Sequence, residues 1–187
     1  MVTDSRPSDP AWRGASGPIA VLIGPPGAGK STTARLLADL LGVEADDTDD
    51  MVEQRTGRDI PTLFVQEGEA FFRAVERDCV AEALSTRSGV LALGGGAVLD
   101  PATQAELAGR PTAFLDVQLR DAARRSGFDR GRPLMSLNPR GQWLQLMAAR
   151  RPIYERLATI RVDTGSATPQ QVAQLVAEAL GLVAADE

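Results

Sequence analysis

The feature that most constrains this chain is a short apolar run, Ile19-Ala20-Val21-Leu22-Ile23, that breaks directly into Gly24-Pro25-Pro26-Gly27-Ala28-Gly29-Lys30-Ser31. A stretch this short with no polar residue predicts a strand covered on both faces, as strands are in parallel sheets. The segment after it satisfies Gly-x-x-x-x-Gly-Lys-Ser in full. Ser31 to Leu41 then carries Leu36, Leu37, Leu40 and Leu41 at helical spacing and closes on Gly42. In a strand, glycine turn and helix in this order, the glycines let the backbone turn its N–H groups inward. The helix adds its positive end, so the turn is built to hold phosphate. In such a loop Lys30 reaches the β- and γ-phosphates of a nucleotide and Ser31 ligates Mg²⁺.

Composition narrows the chemistry. Of 20 lysines and arginines only Lys30 is a lysine, and there is no histidine. Without histidine, Ser-His-Asp and Cys-His catalysis and His-ligated zinc are excluded. The one cysteine, Cys79, rules out an internal disulfide framework and thiolate metal clusters, and fits a reducing cytoplasm. A flexible point charge suits the phosphate loop better than arginine's rigid fork, so the sole lysine falls where a lysine has a mechanistic reason. A second lysine for an Asn-Lys-x-Asp guanine reader does not exist, which argues against a Ras-like switch. The net charge of −5 argues against bulk nucleic-acid binding. No apolar run approaches the roughly 18 residues of a membrane span, and the N-terminus lacks a signal-peptide pattern.

Along the rest of the chain, strands are expected ending near Asp46–Asp49, over Val90–Leu93 before Gly94-Gly95-Gly96, over Ala113–Val117 and over Ile160–Val162. Helices are expected from about Asp50, over Glu69–Leu84, near Gln118–Arg125, over Gly141–Leu157 and over Pro169–Leu180. Alternation of this kind indicates an α/β fold with a parallel sheet, whose ligands bind beyond the carboxyl ends of the strands. The glycine-rich and acidic clusters fall at those ends.

Four clusters qualify as the acceptor side of a phosphoryl transfer, and each has a plainer reading beside it. Asp47 and Asp49 can hold Mg²⁺ and an acceptor hydroxyl, or form a polar strand end with Asp49 or Asp50 capping the next helix. Arg73 and Glu76, three apart on a helix, give either a pre-oriented carboxylate clamp or a surface ion pair. Gly94, Gly95 and Gly96 give either close ligand approach or a loose turn. Arg130-Gly131-Arg132-Pro133-Leu134 lies in a segment that reads as a mobile flap, from about Gly127 to Arg140, or as a solvated basic loop. One of Arg150 and Arg151 can face the pocket.

Taken together, the phosphate loop, Asp-Thr-Asp, Gly-Glu-x-x-Phe-Arg-x-x-Glu, Gly-Gly-Gly, Arg-Pro-Leu and Arg-x-Pro-x-Tyr resemble shikimate kinase from about Ile19 to Leu180. The resemblance implies a three-layer P-loop kinase fold, with a central parallel sheet of about five strands flanked by helices, and a mobile lid. It implies Mg-dependent transfer of the γ-phosphoryl group of ATP to the 3-hydroxyl of shikimate, in the route to aromatic amino acids. Another small-molecule kinase of the same fold, for gluconate or a nucleotide, is the alternative. Carried over by position, Gly27, Ala28, Gly29, Lys30, Ser31 and Thr32 cradle the phosphates of ATP. Ser31 and, through water, Asp47 hold Mg²⁺. Asp49 binds the shikimate hydroxyls as base or aligner, and Arg73 and Arg150 clamp the carboxylate. Gly94, Gly95 and Gly96 contact shikimate through backbone amides. Ile60, Phe64 and Phe72 wall the ring, Arg132 is the lid arginine, and Arg125 and Pro169 sandwich adenine. The chain departs from relatives that carry arginine near Gly165–Ala167, and Asp46 replaces an apolar residue before Asp-Thr-Asp.

The expected organisation is a disordered extension over residues 1–17, one kinase-like domain over 18–182 with a lid over about 127–140, and a short tail over 183–187. The expected protein is a cytoplasmic monomer whose partners are ATP and shikimate, with no nucleic acid and no membrane.

Overall fold

The computed structural model describes residues 16–126 and 138–183. Residues 1–15 of the expected extension, residues 127–137 of the expected lid with Arg132, and residues 184–187 of the expected tail lie outside the described residues.

The elements run β1 (Ala20–Ile23), α1 (Lys30–Leu41), β2 (Ala45–Asp47), α2 (Thr48–Thr56), α3 (Ile60–Gln66), α4 (Gly68–Thr86) and β3 (Val90–Ala92). A 3₁₀ turn (Ala97–Leu99), α5 (Pro101–Leu107), β4 (Thr112–Asp116), α6 (Leu119–Ser126), α7 (Pro139–Leu157), β5 (Ile160–Asp163) and α8 (Pro169–Ala179) complete them. The strands form one parallel sheet in the order β2-β3-β1-β4-β5. β1, β3 and β4 are buried along their whole length; β1 and β3 are wholly apolar, and β4 is apolar between Thr112 and Asp116 at its two ends, whereas the edge strands β2 and β5 are partly exposed. Helix α1 packs against α8 and over β3, and α7 packs against β4 and the 3₁₀ turn. The chain steps from β1 outward to β2, back to β3, and only then across β1 to β4. The loops after β1 and β3 therefore open side by side at the carboxyl end of the sheet.

A second, smaller apolar cluster of Val52, Leu63, Phe72 and Cys79 holds α2, α3 and α4 together beside the main core. Cys79 is fully buried there, the small hydrophobe expected from its apolar neighbours, and burial pushes its thiol pKa up.

Three local differences from the sequence expectations have physical reasons. The second strand ends at Asp47 and not at Asp49, because the Asp47 carboxylate accepts the Asp49 N–H and so caps α2. Asp47, and neither Asp49 nor Asp50, is the cap. Helices α3 and α5 have no counterpart among the expected elements; each is short and starts on an aspartate cap followed by proline in its first turn, Asp59 with Pro61 and Asp100 with Pro101. Among the described residues no helix is long and apolar enough to cross a membrane.

Candidate active site

The turn after β1 is shaped by Gly24, Gly27 and Gly29, all at positive φ. A Cβ at Gly24 would fall 2.5 Å from the Leu115 carbonyl oxygen, and one at Gly27 would fall 2.9 Å from that of Ala122. Both positions thus need glycine for space as well as for conformation. Gly29 caps α1 without any side-chain hydrogen bond, and the first turn of α1 carries no acidic residue. The start of this helix, with its dipole behind it, suits an anion. Lys30 folds back over the turn, and its Nζ donates to the carbonyls of Gly24 at 3.0 Å and Pro25 at 3.2 Å. A cavity of about 440 Å³ opens in front of this loop. It is lined by the whole Pro26–Thr33 segment and reaches Asp47, Asp49, Gly95, Arg125 and Pro169.

Ser31 and Asp47 meet at one edge of the cavity, where the Ser31 hydroxyl donates to Asp47 Oδ2 at 2.5 Å. Two hard oxygen donors converging beside a phosphate loop suit Mg²⁺, which takes few protein ligands and keeps water and phosphate oxygens for the rest. No cluster of three or more His, Cys, Asp or Glu side chains suited to a metal occurs among the described residues.

The other edge is built around the glycine run after β3. The Gly94 N–H donates to the buried Thr48 hydroxyl at 2.9 Å, which ties the run to the start of α2. A Cβ at Gly94 would lie 2.5 Å from Glu76 Oε1 and 2.6 Å from Asp49 Oδ1, so two carboxylates from different helices converge on that position. A Cβ at Gly96 would overlap the Arg73 guanidinium. These glycines are close approaches of side chains to backbone, not a loose turn.

Arg73 is fixed from several directions. Its Nη1 donates to Glu76 Oε2 at 2.5 Å, and its Nε and Nη2 donate to Glu69 Oε1 at 3.3 and 3.2 Å. The guanidinium lies 5.1 Å from the centre of the Phe72 ring, which packs on Phe64 at 4.7 Å. Glu76 is only 4% exposed. Burial raises its carboxyl pKa, opposed by Arg73 and reinforced by the charge of Asp49. Burial alone would lower the pKa of Arg73, but Glu76 and Glu69 outweigh it and raise it.

Of the two adjacent arginines on α7, the structure separates the roles. Arg150 turns toward the site and donates to the Gly95 carbonyl at 3.0 Å. Arg151 turns away and makes two hydrogen bonds to Asp116, at 2.9 and 2.7 Å, an ion pair that Arg161 completes. On the far wall, Arg125 donates to the Thr164 hydroxyl at 3.0 Å and to the Thr164 carbonyl. Thr164, in turn, donates to the Asp116 carbonyl at 3.0 Å.

The predicted residues therefore fall on one continuous surface. Gly27, Ala28, Gly29, Lys30, Ser31, Thr32, Asp47, Asp49, Gly95, Arg125 and Pro169 line the cavity. Arg73, Gly94, Gly96 and Arg150 meet at the adjoining glycine run. Phe72 and Phe64 stand behind Arg73, and Arg132 lies outside the described residues. Sequence reasoning assigned no role to Thr48, Thr164, Tyr154 or Trp143. Trp143 is buried on α7 and donates to the Pro26 carbonyl at 3.4 Å, so α7 touches the phosphate loop as well as the glycine run. No sequence signal marks such long-range contacts. The spacing of Arg73 and Glu76 did mark theirs.

Comparison with known proteins places the chain in a family. The family model described as shikimate kinase matches residues 26–181. The shikimate kinase of Thermobifida fusca is 50% identical over 165 residues, covering 88% of this chain and 96% of the relative. Among solved structures, the shikimate kinase of Acinetobacter baumannii in complex with shikimate superposes with a TM-score of 0.84 at 32% identity, over 91% of this chain and 97% of that one. A gluconokinase from Sinorhizobium meliloti shares the fold alone, with a TM-score of 0.56 at 17% identity over 89% of this chain and 93% of that one. The chain belongs to the shikimate kinase family, and it is an ATP-dependent kinase.

Proposed function

We propose that the cavity and the glycine run work as two halves of one active site, in which the γ-phosphoryl group of ATP passes to the 3-hydroxyl of shikimate. The observation that carries this reading is the Arg73–Glu76–Asp49 constellation pressed against Gly94 and Gly96, directly beside the phosphate loop. Shikimate is a ring with one carboxylate and three hydroxyls. A guanidinium at one end and a carboxylate at the other match that polarity, with the aromatic Phe72 beside Arg73.

In this reading Gly27 to Thr32 hold the phosphates of ATP through backbone amides, and Arg125 and Pro169 flank the adenine. Lys30 neutralises charge developing between the β- and γ-phosphates. The donor set fits Mg²⁺, which Ser31 and, through water, Asp47 would hold. When bound, Mg²⁺ neutralises phosphate charge and orients the transferring group. Arg73 and Arg150 hold the shikimate carboxylate by charge-assisted hydrogen bonds. The Gly94 amide is committed to Thr48, and in this reading the amides of Gly95 and Gly96 are the ones that meet the substrate. Asp49 accepts a hydrogen bond from the 3-hydroxyl, aligns its oxygen with the γ-phosphorus and takes its proton as the new P–O bond forms and the bond from the γ-phosphorus to the β,γ-bridging oxygen breaks, with ADP leaving. Arg132, by its place in the Arg-Pro-Leu motif, supplies the lid arginine. The setting is cytoplasmic, which suits the buried free thiol of Cys79.

The test is ADP release with shikimate, gluconate and AMP offered side by side, with and without Mg²⁺. Release that requires both shikimate and Mg²⁺ supports the reading; equal release with gluconate or AMP overturns the assignment of the acceptor.

A further inference from the structure

Gly95 holds the middle of the glycine run, and its carbonyl oxygen has two donors, both from α7. Arg150 Nη1 donates at 3.0 Å, and the Tyr154 hydroxyl donates at 2.6 Å. Arg150 and Tyr154 are four residues apart, so they share one helical face and reach the same acceptor. The Tyr154 ring is fully buried and stacks on Phe114 of β4, with centroids 5.1 Å apart and planes inclined by 23°. A phenol gripped this way has little freedom, and its oxygen is a fixed point in the core.

The carbonyl it grips is not fixed by its own chemistry. Gly94, Gly95 and Gly96 have the widest backbone freedom of any residue, and a glycine run turns over readily unless something holds it. The Gly95 carbonyl and the Gly96 N–H belong to one peptide plane. There are no cis bonds among the described residues, so the two groups point in opposite directions. Drawing the Gly95 oxygen toward α7 therefore aims the Gly96 N–H away from α7. Gly96 is the residue whose α-carbon lies against the Arg73 guanidinium. The same oxygen also occupies one arm of Arg150, which sets where the rest of that guanidinium points.

We propose that Tyr154 is a positioning residue for the acceptor: its hydroxyl pins the Gly95 carbonyl, and through it orients the Gly96 amide and the Arg150 guanidinium toward the carboxylate-bearing end of the substrate. Tyr154 itself does not touch substrate. The inference rests on the reading of Arg73 and Arg150 as the carboxylate clamp.

Tyr154→Phe keeps the ring, its volume and its stacking on Phe114, and removes only the hydroxyl, with its bond to the Gly95 carbonyl and its contact with Arg150. Steady-state kinetics on both substrates should show the shikimate KM rising roughly 5- to 20-fold, the effect of losing one buried hydrogen bond, with the ATP KM within about twofold of wild type. A purely structural role would move both KM values together. A shikimate KM within about twofold of wild type, or parallel rises in both, overturns the inference.

A second measurement needs no variant that could misfold. Tyr154 is the only tyrosine in the chain, so biosynthetic 3-fluorotyrosine gives a single fluorine resonance from this site. That resonance should move on addition of shikimate and stay in place on addition of gluconate. A resonance indifferent to saturating shikimate, in protein that turns shikimate over, overturns the inference and leaves the assigned activity standing. Wild-type protein that releases no ADP with shikimate removes the activity and the inference with it.

Discussion

The two halves of the site are built by opposite strategies. The phosphate half is one contiguous segment, in which strand, glycine turn and helix follow one another from Ala20 to Leu41. Its working groups are mostly backbone amides, and glycine conformation places them. The acceptor half is assembled from the start of α2, the middle of α4, the turn after β3 and the C-terminal half of α7. Its working groups are side chains, held by ion pairs and side-chain-to-backbone hydrogen bonds that span long stretches of sequence. A contiguous backbone device recognises a feature common to all nucleotides. A dispersed side-chain device can be tailored to one acceptor, and its parts can change one at a time.

If the halves are separable, variants in each should act on different kinetic constants. The largest effect is expected for Lys30→Ala, since the amine acts on charge that develops in the transition state. Turnover should fall by about 10²–10³-fold, measured as shikimate-dependent ADP release, with a smaller change in shikimate KM. Next comes Asp49→Asn, which keeps the shape and a hydrogen-bonding oxygen but cannot take a proton. A loss of about 10²-fold in kcat with shikimate KM nearly unchanged would place Asp49 in the chemical step, and full activity in the Asp49→Asn variant would remove it. The smallest effect is expected on the nucleotide side at Thr164→Val, which deletes the hydroxyl that accepts from Arg125 at 3.0 Å and leaves the carbonyl contact. The ATP KM should rise about 2- to 5-fold while the shikimate KM stays put. Equal changes in both constants would mean that Thr164 couples the halves through its bond to the Asp116 carbonyl.

The contrast between the halves also explains what the sequence reveals. The phosphate loop is readable because every residue it needs is adjacent to the next, and the buried strand and amphipathic helix around it confirm the context. The Arg73–Glu76 pair is readable because helical spacing is a local rule. At Arg150 and Arg151 the residues alone leave the choice open, since both lie on one helix. The family pattern selects Arg150; in the structure Arg150 bonds to the Gly95 carbonyl, and Arg151 is committed to Asp116, 35 residues away in sequence. Thr48 and Thr164 are invisible in sequence for the same reason, because their partners lie 46 and 39 residues off. The Asp47–Asp49 stretch misleads in a different way. Alternating polar positions suggest a strand end, but the Asp47 side chain captures the Asp49 amide and starts a helix, and both carboxylates still reach the cavity. The short helices α3 and α5 carry an aspartate-then-proline start that is legible once sought, but they are too short for periodicity to reveal.

Arg73→Lys tests the separation of the halves most directly. Lysine keeps a cation beside the buried carboxylate of Glu76, so the fold is spared an unpaired buried charge, while the planar fork that can grip a carboxylate is gone. The KM for shikimate and the KM for ATP should be measured on the same preparation. The expected result is a rise of about tenfold or more in shikimate KM with ATP KM within about twofold of wild type. An unchanged shikimate KM, or an equal rise in both, would contradict the account of a carboxylate clamp built apart from the phosphate loop.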